Sequence, residues 1–247
     1  MTDAAAVSTF QEDLKKRCST CSLRHLCLPL GLDSDDIKRL DDIISQRRKV
    51  PAGQHLFRVG DSLRSLAAVR TGFFKVYELG ADGREQVSGF QTEGDLLGLD
   101  AISGGAHRGS ALALVDAEVC AIPFDRLEGL LAEMPGLQRR FHAILSGTIV
   151  ANQTLMMMLG TMRAEHRLAT FLLDLSARLG ARGRSPTLLH LPMSREDIGN
   201  YLGLKLETVS RVLSHFRDQG LIKVAGRTIE IRRIDALRAL VSGVLRH

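Results

Sequence analysis

The stretch SREDIGNYLGLKLETVSRVLSHFRDQG, residues 194–220, predicts two helices joined by a tight turn. Ser194 stands before the first helix with an acid three residues later, a pairing typical of a helix N-terminus. Gly199 is small where two helices approach closely, Gly203 supplies the turn, and Val209 anchors the second helix in the core. Together these residues indicate a helix-turn-helix.

The outer face of the second helix carries side chains suited to reading DNA bases. Glu207, Ser210 and Arg211 lie at i, i+3 and i+4, in the half of the helix that meets base edges. Arginine bonds guanine bidentately, glutamate accepts from amino groups of bases, and serine suits either partner. A surface helix with an ordinary Glu–Arg pair is the alternative. Candidate phosphate contacts surround the element: Lys205, His215, Arg217, Lys223, Arg227, Arg232 and Arg233.

Downstream, LIKVAGRTIEIRR at 221–233 predicts a two-stranded hairpin, followed by a short closing helix. Upstream, residues 164–180 predict another helix. Helices followed by a small hairpin form a winged helix-turn-helix, which we expect to span 164–247.

A long helix precedes this domain, separated by Pro135 from a shorter one. Its apolar positions recur at alternating steps of four and three, which predicts a coiled-coil seam between two copies. Thr148 and Asn152 are unusual in a monomer core, and an Asn at a seam can fix register. A helix that faces the core of one monomer is the alternative. The predicted dimer interface comprises Phe141, Leu145, Thr148, Asn152, Leu155, Leu159 and Met162.

Residues 50–124 have a different texture, with short segments rich in Val, Phe and alternating apolar residues. Glycines punctuate these segments about every ten residues. This pattern predicts an antiparallel roll or barrel. Residues 31–45 before it predict a short amphipathic helix.

Composition favours a soluble protein with an anionic partner. The chain has 247 residues, a net charge of +5 and a pI near 9.3, a mild basic lean. Its start lacks the apolar region of a signal peptide, and its longest apolar runs, such as 111–115, are too short to cross a membrane. We therefore expect a cytoplasmic protein that does not enter a membrane.

Three of the four cysteines lie in RCSTCSLRHLCLPL, residues 17–30. In a reducing compartment, Cys18, Cys21 and Cys27 favour a metal or redox site over a structural disulfide. The distant Cys120 has no neighbouring Cys or His, which weakens a zinc interpretation, and in an alternating strand it could be a small buried residue. The residues alone thus predict a metal or redox site of open type.

Four motifs resemble the oxygen-responsive fumarate-and-nitrate-reduction (FNR) branch of the cyclic-AMP-receptor-protein/FNR superfamily. They are CSTCSLRHLC at 18–27, GDLLGLDAI at 94–102, VCAIPF at 119–124 and DIGNYLGLKLETVSR at 197–211. The resemblance covers nearly the whole chain. It implies an α+β fold with a cyclic-nucleotide-binding-like antiparallel β-roll, a long dimerisation helix and a winged helix-turn-helix. The implied domains are a cluster-binding segment 1–30, a sensory roll 31–136, a dimerisation helix 137–163 and a DNA-binding domain 164–247.

The resemblance also implies the residue roles. Cys18, Cys21, Cys27 and Cys120 match the ligands of an oxygen-labile [4Fe–4S] cluster that promotes dimerisation and DNA binding. Glu207, Ser210 and Arg211 match the residues that read TTGAT-type half-sites in a two-fold-symmetric operator, and RNA polymerase is an implied partner. Leu206 stands where cyclic-nucleotide-responsive members tend to carry an arginine, and it could meet a thymine methyl.

The resulting hypothesis is that the cluster ties the N-terminal segment to the roll at Cys120 and shifts the roll against the long helix. The leucines at 23, 26, 28 and 30 are expected to cover the cluster partly. Because Asn152 is neutral, its symmetry mate does not repel it as a carboxylate would.

The residues fit other signals and activities less well. A cyclic-nucleotide pocket in relatives uses a Gly-Glu pair and a later Arg-Ser pair, whereas this chain has Asp95 and an Arg108-Gly109 pair. A same-fold regulator of haem or nitric oxide remains an alternative. No flavin or nicotinamide fingerprint supports an iron–sulfur electron-transfer enzyme, so we expect a regulator and not an enzyme.

Overall fold

A computed structural model describes residues 18–44 and 46–242, with only the backbone of Gln46. These residues fall into two compact units, one of 18–76 with 90–147 and one of 77–89 with 148–242. The predicted domain limits stay a prediction, and the parts of the first and last domains at 1–17 and 243–247 lie outside the described residues.

Eight strands build two four-stranded sheets, in the orders β1-β8-β3-β6 and β2-β7-β4-β5. The pairs β1–β8, β2–β7, β3–β6 and β3–β8 are antiparallel, as predicted. Gly72 links β3 to β4 at a φ of +98°, and a Cβ there would lie 2.5 Å from that of Ala117, so only glycine fits. The strands are β1 (Gln46–Val50), β2 (His55–Phe57), β3 (Ser65–Thr71), β4 (Phe73–Leu79), β5 (Glu85–Thr92), β6 (Leu96–Leu97), β7 (Ser110–Ala113) and β8 (Ala117–Pro123).

Three helices precede or follow these strands along the chain: α1 (Ser34–Ile43), α2 (Phe124–Glu133) and α3 (Pro135–Thr161). Asp33 caps α1 by accepting from the backbone N–H groups of residues 35 and 36. An apolar cluster of the first unit joins the loop residue Leu28 to Leu40 of α1 and to Leu137 and Phe141 of α3. The start of α3 is therefore packed against the cysteine-bearing segment.

The second unit contains the predicted winged helix-turn-helix. Its helices are α4 (Ala164–Ala181), α5 (Arg195–Leu202), α6 (Leu206–Asp218) and α7 (Ile234–Ser242). Its strands β9 (Leu188–His190), β10 (Ile222–Ala225) and β11 (Thr228–Ile231) pair in the order β10-β11-β9. The predicted hairpin is β10–β11. Strand β9 was not predicted, because three residues are too short for an alternating pattern.

The long helix α3 is strongly apolar overall, although it contains no long continuous apolar run. By length and composition alone it would pass as a membrane-spanning helix. The same test is passed by interior helices of soluble proteins, so it is weak evidence for a membrane segment. Most of this apolar helix is not buried in the single chain, which raises the question of what covers it.

Candidate metal centre and nucleic-acid interface

The cysteine segment is a succession of turns and not a regular helix. Residues 18–20 form one turn of 3-10 helix, and the backbone N–H of Cys21 donates to the Cys18 carbonyl at 3.1 Å. Farther on, the N–H of Cys27 donates to the Leu23 carbonyl at 3.1 Å, and that of Leu30 donates to the Cys27 carbonyl at 3.2 Å. This winding brings the three cysteines of the segment to one side of the loop.

All four cysteines line one cavity in the first unit. The cavity encloses about 430 Å³, including the space that opens to solvent. Cys120 reaches it from the middle of β8, where its register partners are Arg47 in β1 and Ala68 in β3. The structure therefore brings together the loop cysteines and a strand cysteine far away in sequence. Cys120 is half-buried and is not a plain core residue.

The rest of the cavity wall is mainly apolar, with two cations. Of the four leucines expected to cover the site, Leu23 and Leu28 line the cavity. Leu26 and Leu30 are not among the described lining residues, and Leu30 is exposed. His25 is exposed. The remaining wall consists of Arg24, Pro29, Leu40, Ile44, Ala68, Val69, Arg70 and Ile122.

Burial keeps the thiols of Cys18, Cys27 and Cys120 protonated in the metal-free protein. It raises the pKa of Cys27 to about 12 and raises that of Cys18 still further. Asp41 and the neighbouring cysteines add to the rise at Cys18, because each negative charge disfavours another. Burial also raises the pKa of Cys120, and the cation of Arg47 opposes that rise. Binding of a cation or cluster would reverse this balance by stabilising thiolates.

Residues that the sequence did not single out complete the site. The Asp41 carboxylate accepts from the backbone N–H of Cys18, and it accepts from the Ser19 hydroxyl at 3.1 Å. On the strand side, Glu118 pairs with Arg70 at 2.9 Å and lies 3.9 Å from Arg47 Nε. Asp41 is one acid among several in α1, and its role depends on how the loop folds back, so no local signal identified it.

The arrangement fits an anionic group with soft ligands. Arg47 Nε is buried and, among residues 18–44 and 46–242, has no hydrogen-bond partner although it faces the Cys120 position. Thiolates are the usual ligands of iron–sulfur clusters, and hydrogen bonds to cluster sulfur tune their potentials. Within the described chain, no three His, Cys, Asp or Glu side chains converge closely enough to hold a single ion.

The helix-turn-helix of the second unit has the local geometry that its sequence predicted. Ser194 Oγ accepts from the backbone N–H of Asp197 at 3.0 Å, and the Asp197 carboxylate accepts in return from the Ser194 N–H at 2.9 Å. A Cβ on Gly199 would lie 2.6 Å from the Leu204 carbonyl oxygen, and Gly203 has a φ of +61°. Val209 is fully buried. The turn thus needs both glycines.

The three predicted base-reading residues lie near the start of α6. Glu207 and Arg211 are exposed, and Ser210 is half-buried. Arg195 of α5 donates to the Ser210 hydroxyl at 3.2 Å, a contact that the sequence did not reveal. Leu206 beside them is an exposed apolar side chain.

The predicted phosphate contacts are all exposed, but they differ in their partners. Arg217 donates to the Asp218 carboxylate at 2.8 Å, and Arg232 pairs with Glu230 at 3.1 Å. Arg227 donates to the Pro192 carbonyl at 3.2 Å. Exposed ion pairs of this kind contribute little to stability, so a phosphate can compete for these arginines. Lys205 is exposed directly before α6.

The predicted seam of α3 divides into buried and exposed positions. Phe141 is 5% exposed within the first unit and Met162 is 4% exposed within the second, so neither side chain is open to a partner. Leu145, Leu155 and Leu159 are half-buried, whereas Thr148 and Asn152 are exposed. The large exposed apolar side chains of the helix are Ile149, Val150, Met156 and Met157.

Known families match both functional parts of the chain. The Crp-like helix-turn-helix domain matches residues 166–240, and the cyclic nucleotide-binding domain matches residues 47–134. The first match includes the two helices and the turn at Gly203 described above. The second covers the two β-sheets and includes Cys120.

Relatives match over most of the chain. The fumarate and nitrate reduction regulatory protein of Salmonella typhimurium is 44% identical over 90% of this chain and 89% of its own, and that of Escherichia coli K12 is 43% identical over the same shares. Among solved structures, FixK2 from Bradyrhizobium japonicum is 34% identical and aligns with a TM-score of 0.73 over 79% of this chain and 96% of its own. The chain therefore belongs to the FNR-type regulators of the CRP/FNR family, and it is a DNA-binding transcription regulator and not an enzyme.

Proposed function

We propose that this protein is a cytoplasmic, homodimeric regulator of the anaerobic response whose operator binding depends on an oxygen-labile [4Fe–4S] cluster. The observation that carries the proposal is the cavity lined by Cys18, Cys21, Cys27 and Cys120. A strand cysteine and three loop cysteines that line one cavity can supply four thiolates to a single group. The resemblance to FNR-type regulators identifies the same four residues as ligands.

The four thiols suit a cluster better than a single ion. They surround the cavity without converging on one point, whereas a structural zinc holds its four ligands close around one atom. When bound, such a cluster would supply the oxygen-reactive group. The apolar wall around Leu23 and Leu28 would restrict the access of oxygen and water to it.

The surrounding charges would support an anionic centre. The guanidinium groups of Arg47 and Arg70 act on Cys120 by lowering its pKa, so they would offset part of the charge of thiolates, although both also pair with Glu118. On the other side Asp41 fixes the backbone at Cys18. Its carboxylate disfavours thiolate formation there, so Asp41 acts as a positioning residue and not as a charge partner.

A dimer would form along α3, on a face different from most of the predicted seam. Ile149 and Met156, 57% and 67% exposed, lie seven residues apart. Together with Leu145 and Asn152 they follow steps of four, three and four, the spacing of a coiled-coil seam. A second copy would cover this face, which explains an apolar helix that the single chain leaves exposed. Asn152 belongs both to the seam predicted from the sequence and to this face.

DNA reading would use the N-terminal half of α6. Arg211 and Glu207 are exposed and would meet base edges of a TTGAT-type half-site, with Ser210 held by Arg195. A dimer would present two such helices to successive major grooves of a two-fold-symmetric operator. The exposed turn at 80–84 between β4 and β5 is the surface that we propose for contact with RNA polymerase.

A cyclic nucleotide is a poorer ligand for the roll. The Asp100 carboxylate accepts from the backbone N–H of Arg108 at 2.8 Å and from that of Gly109 at 3.3 Å. It also lies 3.4 Å from the buried ring of His107. An internal anion therefore already uses the donors that a nucleotide phosphate would need at this segment.

Anaerobic purification tests the proposal. We expect a coloured protein with about four iron atoms and four sulfides per chain and with visible absorption that bleaches in air. Metal analysis of the same sample for zinc separates the two kinds of site. A colourless protein without iron, or one that holds a single zinc ion, would refute the cluster.

A further inference from the structure

One side chain joins the long helix to the cysteine loop. Arg140, in the second turn of α3, donates from Nη2 to the Leu26 carbonyl at 2.7 Å and from Nε to the Cys27 carbonyl at 3.2 Å. Hydrogen bonds from a charged donor are stronger than neutral ones. The helix thus grips the backbone of a proposed ligand directly.

Apolar packing on both sides makes this contact stiff. Leu28, which follows Cys27, is buried in the same apolar cluster as Leu137 and Phe141 of α3. Leu26 is wedged against Gly94, where a Cβ would lie 2.9 Å from the Leu26 Cβ. A displacement of the loop at Cys27 therefore moves the carbonyls that Arg140 holds, because packed interiors do not deform freely.

We propose that Arg140 is the positioning residue that couples the state of the cysteine loop to α3. The inference rests on the proposed cluster and dimer, and it adds a route of transmission. The sequence-based hypothesis passed the signal from Cys120 through the roll to the helix. The Arg140 contact bypasses the roll and acts on the helix that carries Ile149 and Met156.

The chemistry of the contact requires arginine. Its planar guanidinium presents donors in a fixed fork, so it can hold two successive carbonyls at once. A lysine at this position would keep the charge and offer a single ammonium group. Arg139, the preceding residue, is exposed, which makes Arg139→Gln a matched control for the loss of one positive charge from the same turn.

The experiment compares wild-type protein with Arg140→Gln, Arg140→Lys and Arg139→Gln. Coupling is measured as the ratio of dimer dissociation constants for the metal-free and the anaerobically loaded forms. We expect Arg140→Gln to keep the iron, sulfide and absorption of the wild type while this ratio falls about tenfold or more, equivalent to ~1.4 kcal/mol. The ratio for Arg140→Lys should lie between those of the wild type and Arg140→Gln. The ratio for Arg139→Gln should match that of the wild type.

A second readout tests the contact without the cluster. In metal-free protein, amide hydrogen exchange across 21–32 should be faster in Arg140→Gln than in Arg139→Gln, because the loop has lost an anchor. This measurement also serves for any variant whose loaded form is unstable.

Three results would overturn the inference. An unchanged ratio in Arg140→Gln would place the coupling elsewhere, and equal loop exchange in the two glutamine variants would show that the contact does not anchor the loop. Loss of iron from Arg140→Gln would mean that the residue retains the ligand and does not transmit its state. Wild-type protein without iron would refute the proposed function itself, in a sample that does not involve Arg140.

Discussion

Cys120 occupies a position where a strand would ordinarily place a small buried residue, yet its thiol faces a cavity shared with the cysteine loop. Replacement by alanine removes one thiol and little volume, so the fold should remain. We expect Cys120→Ala to lose most of its iron after anaerobic isolation while its thermal unfolding midpoint stays close to that of metal-free wild type. Leu30→Ala, which alters an exposed loop residue outside the cavity wall, is the control and should retain full iron. Full iron content in Cys120→Ala would exclude this cysteine as a ligand.

The reactivity of the Cys27 thiol tests the burial of the same site in metal-free protein. Burial raises its pKa from 9.0 to about 12, so in metal-free protein it stays protonated at pH 8 and should react slowly with iodoacetamide. Because the folded-state pKa lies above the unfolded one, this thiol stabilises the metal-free fold below pH 9, and that contribution is lost as the pH rises from 9 towards 12. Peptide mapping of alkylated protein checks the rate, with urea-unfolded protein as the fast reference. Equal rates in the two samples would contradict the burial.

At the scale of elements, Arg167 holds the junction between the long helix and the helix-turn-helix. Its guanidinium donates to the carbonyls of Leu159 at 2.6 Å, Met162 at 2.8 Å and Leu202 at 2.9 Å. These carbonyls lie in the last turns of two helices and in the two-residue link between α3 and α4, positions that often lack helical partners. One side chain therefore fixes the end of α3 against the turn at Gly203.

We expect Arg167→Gln to lower the free energy of unfolding by ~2–4 kcal/mol, because several buried carbonyls lose a charged donor. Urea unfolding of the full chain measures the change. Arg163→Gln is the matched control, since Arg163 is exposed and its side chain makes no capping bond to α4. Equal midpoints for the two variants would show that the junction does not depend on Arg167.

The exposed face of α3 leads to a second prediction at this scale, on dimerisation. A charge at its centre, as in Ile149→Glu or Met156→Glu, should shift the loaded protein towards monomer in sedimentation velocity, because it would be buried against its symmetry mate. Ala151→Glu adds the same charge to the opposite side of the helix and should sediment like the wild type. A dimer that tolerates both substitutions would contradict the proposed face.

Phe141→Ala should instead destabilise the monomer by ~3–5 kcal/mol, as expected for a buried aromatic.

At the scale of the whole molecule, structure set by neighbouring residues was predictable from the sequence, whereas contacts between segments far apart in the chain were not. The helix-turn-helix followed from Ser194 and Gly203, whose effects act within a few residues. The approach of Cys120 to the loop cysteines depends on the pairing of β8 with β1 and β3, which no local pattern encodes, and only the family resemblance linked them. The dimer seam of α3 stays a prediction. Its member Phe141 is buried in the first unit, and a heptad repeat alone cannot distinguish such a core position from one that faces a partner.

The central claim is that oxygen controls operator binding through the four cysteines. The most direct test is the affinity of the anaerobic protein for a two-fold TTGAT-type operator, measured by fluorescence anisotropy at fixed salt before and after the same sample is exposed to air. We predict tight binding that weakens at least tenfold in air as the visible absorption bleaches, and weak binding by Cys120→Ala in both conditions. Affinity that is unchanged by air, or a wild-type affinity in Cys120→Ala, would contradict the account.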